Sequence, residues 1–281
     1  MPPLYDAADA ASLEGQRNYL WLLRAQIILP LSAAIAALVW SGKEGAVGIS
    51  LLFLLALAAS VAMQSWRPER AWFDGRVLAE SLKTISWRFA MRLRPYDASV
   101  SDADACNQVE ARVAEVVKEL AEMAGKIGAK GAGPSVTTGM EAVRALPWAD
   151  RRAAYLAERL DDQLSWYRRS GIQNGQLAKR WLMLVTLLQL LGLVVAVLRA
   201  AEIIEVNLFG VISGAVGAAV AWLQAKRHQD LVRSYGLAAL ELGALKGRVE
   251  RVATEAELEA LVEQGEEAMS REHTAWAAKR L

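Results

Sequence analysis

Two stretches without an ionisable side chain decide the fold: AQIILPLSAAIAALVWSG (Ala25–Gly42) and GAVGISLLFLLALAASVAMQSW (Gly45–Trp66). Two more follow in the second half, WLMLVTLLQLLGLVVAVL (Trp181–Leu198) and VNLFGVISGAVGAAVAWLQA (Val206–Ala225). Each approaches the roughly 20 apolar residues that a helix needs to cross the hydrocarbon of a bilayer. Only a short turn separates the members of each pair. The sequence therefore predicts an all-α polytopic membrane protein with four transmembrane helices arranged as two hairpins.

Basic residues are distributed unevenly around these spans. Of the 32 Lys and Arg residues, only Lys43 and Arg199 fall in the two short turns. The others lie before the first span, between the second and third spans, or after the fourth. Because loops rich in Lys and Arg stay on the cytoplasmic side, we expect both termini and the segment 67–180 to be cytoplasmic.

The segments outside the spans repeat apolar residues at alternating steps of three and four, which is typical of coiled-coil-like helices. Thr254 with Glu257 forms a capping-box pattern, and Ser101 before Asp102 and Asp104 predicts another helix start. These patterns predict long cytoplasmic amphipathic helices that pack in a bundle, with contact to another subunit or partner as the alternative. The seam after the fourth span comprises Leu231, Tyr235, Ala238, Leu242, Leu245, Val249 and Val252. Similar series occur after the second span, at Leu78, Leu82, Ile85 and Phe89, and further on at Val109, Val113, Val116, Leu120 and Met123.

A glycine-rich segment, Gly125–Pro134, divides the chain. It lacks the Gly-Lys-Ser/Thr ending of a phosphate loop, so we interpret it as a linker. The predicted domains are a first two-transmembrane unit with its cytoplasmic helices at 15–124, a linker at 125–144, and a second such unit at 145–281. Both halves place a hairpin before an amphipathic helix, which indicates an ancient duplication.

Residues that carry catalysis or bind metals are not arranged in a recognisable motif. His228 and His273 have no Cys, His or carboxylate companions at metal-ligand spacing. Asp161 and Asp162, with Arg159 nearby, are interpreted as part of a solvated charged face. The sequence predicts no enzyme, no catalytic residue, no metal and no cofactor.

Three segments resemble one family. YLAERLDDQLSWYRR (Tyr155–Arg169) ahead of a hairpin resembles the SLATT family, the SMODS- and SLOG-associating two-transmembrane effector domains. WFDGRVLAESLKTISWR (Trp72–Arg88) resembles a sister subfamily, and SREHTAW (Ser270–Trp276) also fits. The resemblance covers about residues 15–100 and 145–281, so two such units lie in one chain.

The resemblance implies an oligomeric, pore-forming membrane effector of a bacterial antiphage system. Such an effector breaches the inner membrane, and aborts the infection, when a sensor protein or a nucleotide-second-messenger enzyme is triggered. The implied partners are the lipid bilayer, further copies of the chain and that sensor or enzyme, without nucleic acid. Two alternatives stay open: a membrane-anchored scaffold or signalling adaptor with a partner-binding cytoplasmic bundle, and, more weakly, a small-solute transporter.

Polar and small residues in the second hairpin are the candidates for a pore. Gln189 is costly to leave facing lipid, so we expect it at a helix contact or a pore. Glu202 and Glu205, followed by Asn207, are candidates for an outer mouth, where a ring of carboxylates favours cations. The alternative is that both glutamates are solvated turn residues that keep the loop out of the membrane. Small residues every four positions on the fourth span predict close helix packing, within the chain or between subunits. They are Gly210, Gly214 and Ala218 in one row, and Ser213, Gly217 and Ala221 in another.

Overall fold

The computed structural model describes residues 1–206 and 208–278, with side chains up to residue 270. Asn207 of the predicted pore mouth lies outside the described residues. The α-helices are α1 (Pro3–Val39), α2 (Gly42–Trp66), α3 (Pro68–Ala90), α4 (Asp102–Glu119), α5 (Ala121–Ile127), α6 (Thr138–Ala145), α7 (Trp148–Tyr155), α8 (Asp161–Ala200), α9 (Phe209–Lys226), α10 (His228–Val249) and α11 (Glu255–Ala278). A 3₁₀ turn at Gly128–Gly131 follows α5, and a π turn at Leu156–Leu160 joins α7 to α8.

Four of these helices, α1, α2, α8 and α9, provide the apolar stretches that are long enough to cross a membrane. The first and third predicted spans are the distal parts of α1 and α8, which begin well before the apolar residues. Pro30 lies inside α1. The prediction of an all-α protein with four membrane-spanning helices in two hairpins is confirmed.

Contacts divide the chain into two compact units. The bundle unit comprises Met1–Gln16, Glu69–Ser170 and the residues from Ser234 onward. The membrane unit comprises Arg17–Pro68 and Gly171–Arg233, and it contains the apolar parts of the four spans. Each half of the sequence therefore contributes to both units.

The bundle unit has a core built from the predicted apolar seams. Leu78, Leu82 and Phe89 of α3 pack in one cluster with Val109 and Val113 of α4. The seam after the fourth span is buried at Tyr235, Ala238, Leu242, Leu245, Val249 and Val252, and half-buried at Leu231. These seams therefore pack within the chain itself.

Both predicted helix starts have the expected capping geometry. The backbone N–H of Asp104 donates to Ser101 Oγ at 3.2 Å, and α4 begins at the next residue after this serine. The N–H of Glu257 donates to Thr254 Oγ1 at 3.3 Å, while Glu257 Oε2 accepts from the Ala253 N–H at 3.1 Å. These contacts satisfy N–H groups that have no partner inside a helix, which confirms both predictions.

Within residues 125–144, the structure has the end of α5, the 3₁₀ turn and most of α6. At Gly131 a Cβ atom would lie 2.6 Å from Leu4 Cδ1, and at Gly133 it would lie 2.7 Å from Pro3 Cγ. The two glycines thus allow close approach of the N-terminus of α1. The linker and the domain boundaries around it stay a prediction.

The second span of each hairpin ends in the same unusual way. Arg67 after α2 and Arg227 after α9 both adopt the left-handed conformation, with φ of +44° and +50°. This C-terminal position normally favours glycine, because a Cβ atom is strained there. A new helix starts directly afterwards, at Pro68 and at His228. The two halves therefore repeat one local design, as expected of a duplication.

Helices of the membrane unit approach one another through small residues. Ala33, Ala56, Ala59 and Ala219 are buried. At Gly192 of α8 a Cβ atom would lie only 3.3 Å from Ile212 Cγ2 of α9. Small residues permit such close packing in lipid, where no hydrophobic effect drives helices together.

Candidate functional site

A charged cluster lies at the centre of the bundle unit, and we call Thr84, Tyr155, Arg159 and Glu266 the Arg159–Glu266 cluster. Arg159 and Glu266 side chains are each 1% exposed. The guanidinium donates two parallel hydrogen bonds to the carboxylate, Nε to Oε1 at 2.9 Å and Nη2 to Oε2 at 2.8 Å. Tyr155 Oη donates to Oε1 and Thr84 Oγ1 to Oε2, each at 3.1 Å. The carboxylate therefore accepts four hydrogen bonds, and it ties α3, α7 and the π turn to α11.

Burial and charge shift the pKa of two members of this cluster, Tyr155 and Arg159, and of the nearby Lys83. Burial, followed by the charge of Glu266, raises the pKa of the Tyr155 phenol well above its usual value. Burial lowers the pKa of the Arg159 guanidinium, but Glu266 outweighs that effect and the net shift is upward. Burial, and then the charge of Arg159, lower the pKa of the Lys83 ammonium. A bidentate pair enclosed in this way has no open face for a substrate, so it acts as a structural clamp.

The π turn and one glycine create the space for the clamp. Arg159 lies within Leu156–Leu160, where the helix widens locally. Such π turns are often found at functional positions. At Gly265, next to Glu266, a Cβ atom would lie 2.8 Å from both Tyr155 Oη and Leu245 Cδ2. Hence only glycine lets Tyr155 reach the carboxylate without displacing its neighbours.

We expect Gly265→Ala to lower the free energy of unfolding by about 1–3 kcal/mol, because the added methyl overlaps the Tyr155 hydroxyl. Thermal denaturation of the full chain in detergent measures the effect. The control is Gly243→Ala on α10, where a Cβ atom meets no heavy atom within 4 Å. Alanine there should be neutral or stabilising, because it restricts the unfolded chain. Equal midpoints for the two variants would contradict the packing at Gly265.

Two further buried arginines bind the C-terminal end of α3. Arg144 Nη1 donates to the Phe89 carbonyl at 3.0 Å and the Tyr96 carbonyl at 2.7 Å, and its Nε donates to Asp102 Oδ1 at 2.8 Å. Arg151 donates to the Met91 carbonyl at 3.3 Å and pairs with Glu255. Cations stabilise a helix C-terminus, where carbonyl groups lack intrahelical partners. The arginines therefore fix the place where α3 ends.

Asp162 is exposed, as expected of a solvated charged face, and Asp161 is half-buried and pairs with Lys246 at 2.5 Å. The neighbouring Arg159 does not belong to this face, because its side chain points into the core. Glu266 is likewise absent from the candidate residues predicted from the sequence. A signal for it exists, because Glu266 continues the apolar stripe of α11 at Leu258, Leu261, Val262 and Met269. A charge at such a position needs a buried partner.

A groove of about 740 Å³ lies on the bundle unit beside α3 and α4. Its walls carry charges of both signs, and these are paired: Arg88 lies 3.1 Å from Glu263 and Arg112 lies 2.7 Å from Glu115. Gln108 Oε1 has no hydrogen-bond partner within the described residues. The volume of the groove suits a ligand or a partner segment, but its balanced charges favour neither an anion nor a cation.

The candidate pore residues lie on the surface of the isolated chain. Gln189 is exposed on α8, and Glu202 and Glu205 are exposed in the turn before α9. Glu202 has a positive φ of +58°. Arg199 Nη1 donates to the Glu205 carbonyl at 2.5 Å, which closes this turn. Within the described residues, therefore, the structure does not gather these side chains into one site.

The residues of the two small-residue rows differ in their burial and in the space beside them. Gly210, Ser213, Gly214, Gly217 and Ala221 are exposed, and Ala218 is half-buried. A Cβ atom at Gly214 would contact Leu31 of α1 at 3.6 Å, whereas one at Gly210 or Gly217 would meet nothing within 4 Å. The rows thus leave room beside α9 that the chain itself does not fill.

His228, at the start of α10, has a partner that was not predicted from the sequence. Its ring is buried, and Nδ1 lies 2.7 Å from Asn174 Oδ1 of α8. This contact fixes the beginning of α10 directly after the break at Arg227.

These features define the class of the protein. It is a helical membrane protein with two membrane-spanning hairpins and one helical bundle, and the second span of each hairpin ends in the same way. Residues 2–152 match the family model of the SMODS and SLOG-associating 2TM effector domain 3, and residues 155–276 match that of the SMODS and SLOG-associating 2TM effector domain 1. The chain therefore belongs to the SLATT family and contains two SLATT domains. No curated protein and no solved structure matches the chain.

The matches extend the resemblance seen in the sequence, because the first also covers α4 and the glycine-rich segment. Thr84 belongs to the first matched segment, and Tyr155, Arg159 and Glu266 belong to the second. The Arg159–Glu266 cluster thus joins the two SLATT domains within one core. SLATT domains are effector domains associated with conflict systems.

Proposed function

We propose that this protein is an effector of a bacterial antiphage system that assembles into oligomers and permeabilises the inner membrane when it is activated. The observation that carries the proposal is that both halves of the chain are SLATT effector domains, each with an apolar hairpin. The proposal assigns no catalytic residue and no cofactor.

Assembly into oligomers is supported by the low burial of the spans within a single chain. In each span, only 6–11% of the most apolar 18 residues are buried. Two hairpins cannot enclose a sizeable pore, so a breach requires several copies. An exposed amide such as Gln189 is costly in hydrocarbon and is better placed at a subunit contact or facing water.

In the proposed orientation, both termini and the bundle unit are cytoplasmic. Lys and Arg concentrate on that side of the spans, as the positive-inside rule requires. Glu202 and Glu205 then lie at the outer face, once per subunit. In a symmetric assembly their carboxylates concentrate cations at the mouth and repel anions, so the open state should prefer cations.

The bundle unit receives the trigger in this proposal, from a sensor protein or a nucleotide-second-messenger enzyme. Two features support that role. Both SLATT domains contribute to its core through the Arg159–Glu266 cluster. In addition, α8 begins in this unit and ends as a membrane span. A movement of the bundle helices would therefore be transmitted to that span along one continuous helix.

A second candidate is a membrane-anchored scaffold or adaptor, in which the spans only hold the bundle at the membrane. The 740 Å³ groove on the bundle unit favours it, because a groove of that size can hold a partner segment. The two candidates differ in one measurable property, since only an effector that permeabilises collapses the membrane potential.

The test is expression of the full chain at high level in bacterial cells with a potential-sensitive dye, since high concentration favours assembly by mass action. We expect depolarisation to the level given by an uncoupler. Gln189→Leu should abolish it while the protein stays in the membrane fraction. The matched control is Thr186→Val on the same helix, because the Thr186 hydroxyl already donates to the Leu182 carbonyl at 3.0 Å.

Two outcomes would overturn parts of the proposal. Wild-type protein that reaches the membrane and leaves the potential unchanged would favour the adaptor. Full depolarisation by Gln189→Leu would remove this side chain from the permeation pathway.

A further inference from the structure

Two cations flank a single tryptophan at one end of the membrane unit. Arg24 Cζ of α1 lies 5.4 Å from the ring centroid of Trp222, and Lys226 Nζ lies 5.9 Å from it. Trp181 of α8 packs against the same ring, with centroids 5.9 Å apart. Tryptophan is enriched where a span leaves the hydrocarbon, and cations lie favourably over its ring. Positive charge is therefore concentrated at the headgroup level between α1 and α9.

An apolar groove of about 300 Å³ lies between the same two helices, α1 and α9. Residues 26–34 of α1 form one wall, and the wall on α9 consists of Gly214, Gly217, Ala218 and Ala221. The lining residues nearest in sequence to the cations are Gln26, two positions after Arg24, and Ala221, five positions before Lys226. Both cations therefore lie beyond the same end of the groove. Past Gln26, the lining is apolar.

Charge decides between two occupants of this groove. A helix from a second copy would bring apolar side chains and a lipid would bring an acyl chain, so the apolar lining accepts either. The two cations over Trp222 suit a phosphate and not an apolar helix surface, which favours the lipid.

We propose that this groove binds an anionic glycerophospholipid. The phosphate lies between Arg24 and Lys226 at the edge of Trp222, and one acyl chain runs along residues 26–34 and 214–221. Charge and shape act together here, because the cations select an anionic headgroup while Gly217 leaves the space that the chain occupies.

The experiment measures lipid retention by native mass spectrometry on the full chain, after reconstitution with equal amounts of phosphatidylglycerol and phosphatidylcholine. Wild-type protein should retain phosphatidylglycerol selectively. The Arg24→Gln, Lys226→Gln variant should bind it roughly 30-fold more weakly, as expected for the loss of two basic residues near an anionic lipid. Gly217→Leu should reduce retention of both lipids, because the side chain fills the groove.

The control variant is Arg70→Gln, Lys179→Gln, which removes two exposed cations close in sequence to the spans but leaves both cations over Trp222 in place. It should retain phosphatidylglycerol like wild type. Equal retention of the two lipids by wild type, or an equal loss in the control variant, overturns the proposal. So does an oxidised Gly217→Cys dimer in a Cys106→Ser background, because it places a second copy in the groove.

Discussion

Arg159→Met should lower the free energy of unfolding by about 3–5 kcal/mol, because it leaves the Glu266 carboxylate buried without its countercharge. Glu266 is 1% exposed and accepts two of its four hydrogen bonds from this guanidinium. The hydroxyl groups of Tyr155 and Thr84 cannot replace a full positive charge. Denaturation of the full chain in detergent, followed by near-ultraviolet circular dichroism, measures the loss.

The paired variant separates the cost of an unpaired charge from the worth of the pair. Arg159→Met combined with Glu266→Met should recover most of the lost stability, since two apolar side chains of similar size replace both charges. Arg168→Met is the control for the mutation itself, because Arg168 is exposed on α8. The free energy of unfolding of this variant should stay within about 0.5 kcal/mol of the wild-type value. If Arg159→Met behaves like Arg168→Met, the pair is not buried in the folded protein.

The sequence predicts the spans because their signal is local. A charge-free stretch of sufficient length is visible without knowing what surrounds it, and the distribution of Lys and Arg adds an orientation. The helical seams are local in the same sense, since spacing alone placed Leu82, Val109 and Leu245 on buried faces.

The charged cluster is not local. Arg159 and Glu266 are 107 positions apart, and neither spacing nor composition connects them. The stripe of α11 marks Glu266 as a buried position, but only the fold supplies its partner. Gly265 has the same character, because its role depends on the Tyr155 hydroxyl that approaches from another helix.

The breaks after α2 and α9 were missed for a different reason. The left-handed residue at a helix C-terminus is usually glycine or asparagine, so these residue types predict it from the sequence. Here arginine occupies both positions. The strain at Arg67 and Arg227 is tolerated at the point where a span ends, in both SLATT domains. Because the same left-handed arginine follows the second span in both halves, we infer that this helix break is a shared feature of the two SLATT domains of this chain.

The seam on α10 gives the second large expected effect. Leu242 and Leu245 are 2% and 4% exposed, so truncation of either to alanine should cost about 2–5 kcal/mol. Aspartate adds the desolvation of a carboxylate with no partner. The Leu242→Asp, Leu245→Asp variant should therefore lose stability comparable to the 5–15 kcal/mol that holds a typical domain together. We expect its bundle unit to be unfolded and rapidly cleaved in limited proteolysis.

The same helix offers a matched control with the same residues and the same spacing. Leu237 and Leu240 are 60% and 74% exposed, so the Leu237→Asp, Leu240→Asp variant removes two leucines and adds two charges without entering the core. It should resist proteolysis like wild type, because both carboxylates stay in water. If the two double variants are equally resistant, the seam at Leu242 and Leu245 is not buried. If both are cleaved, aspartate disrupts α10 itself, and the effect at Leu242 and Leu245 does not report on packing against the rest of the bundle.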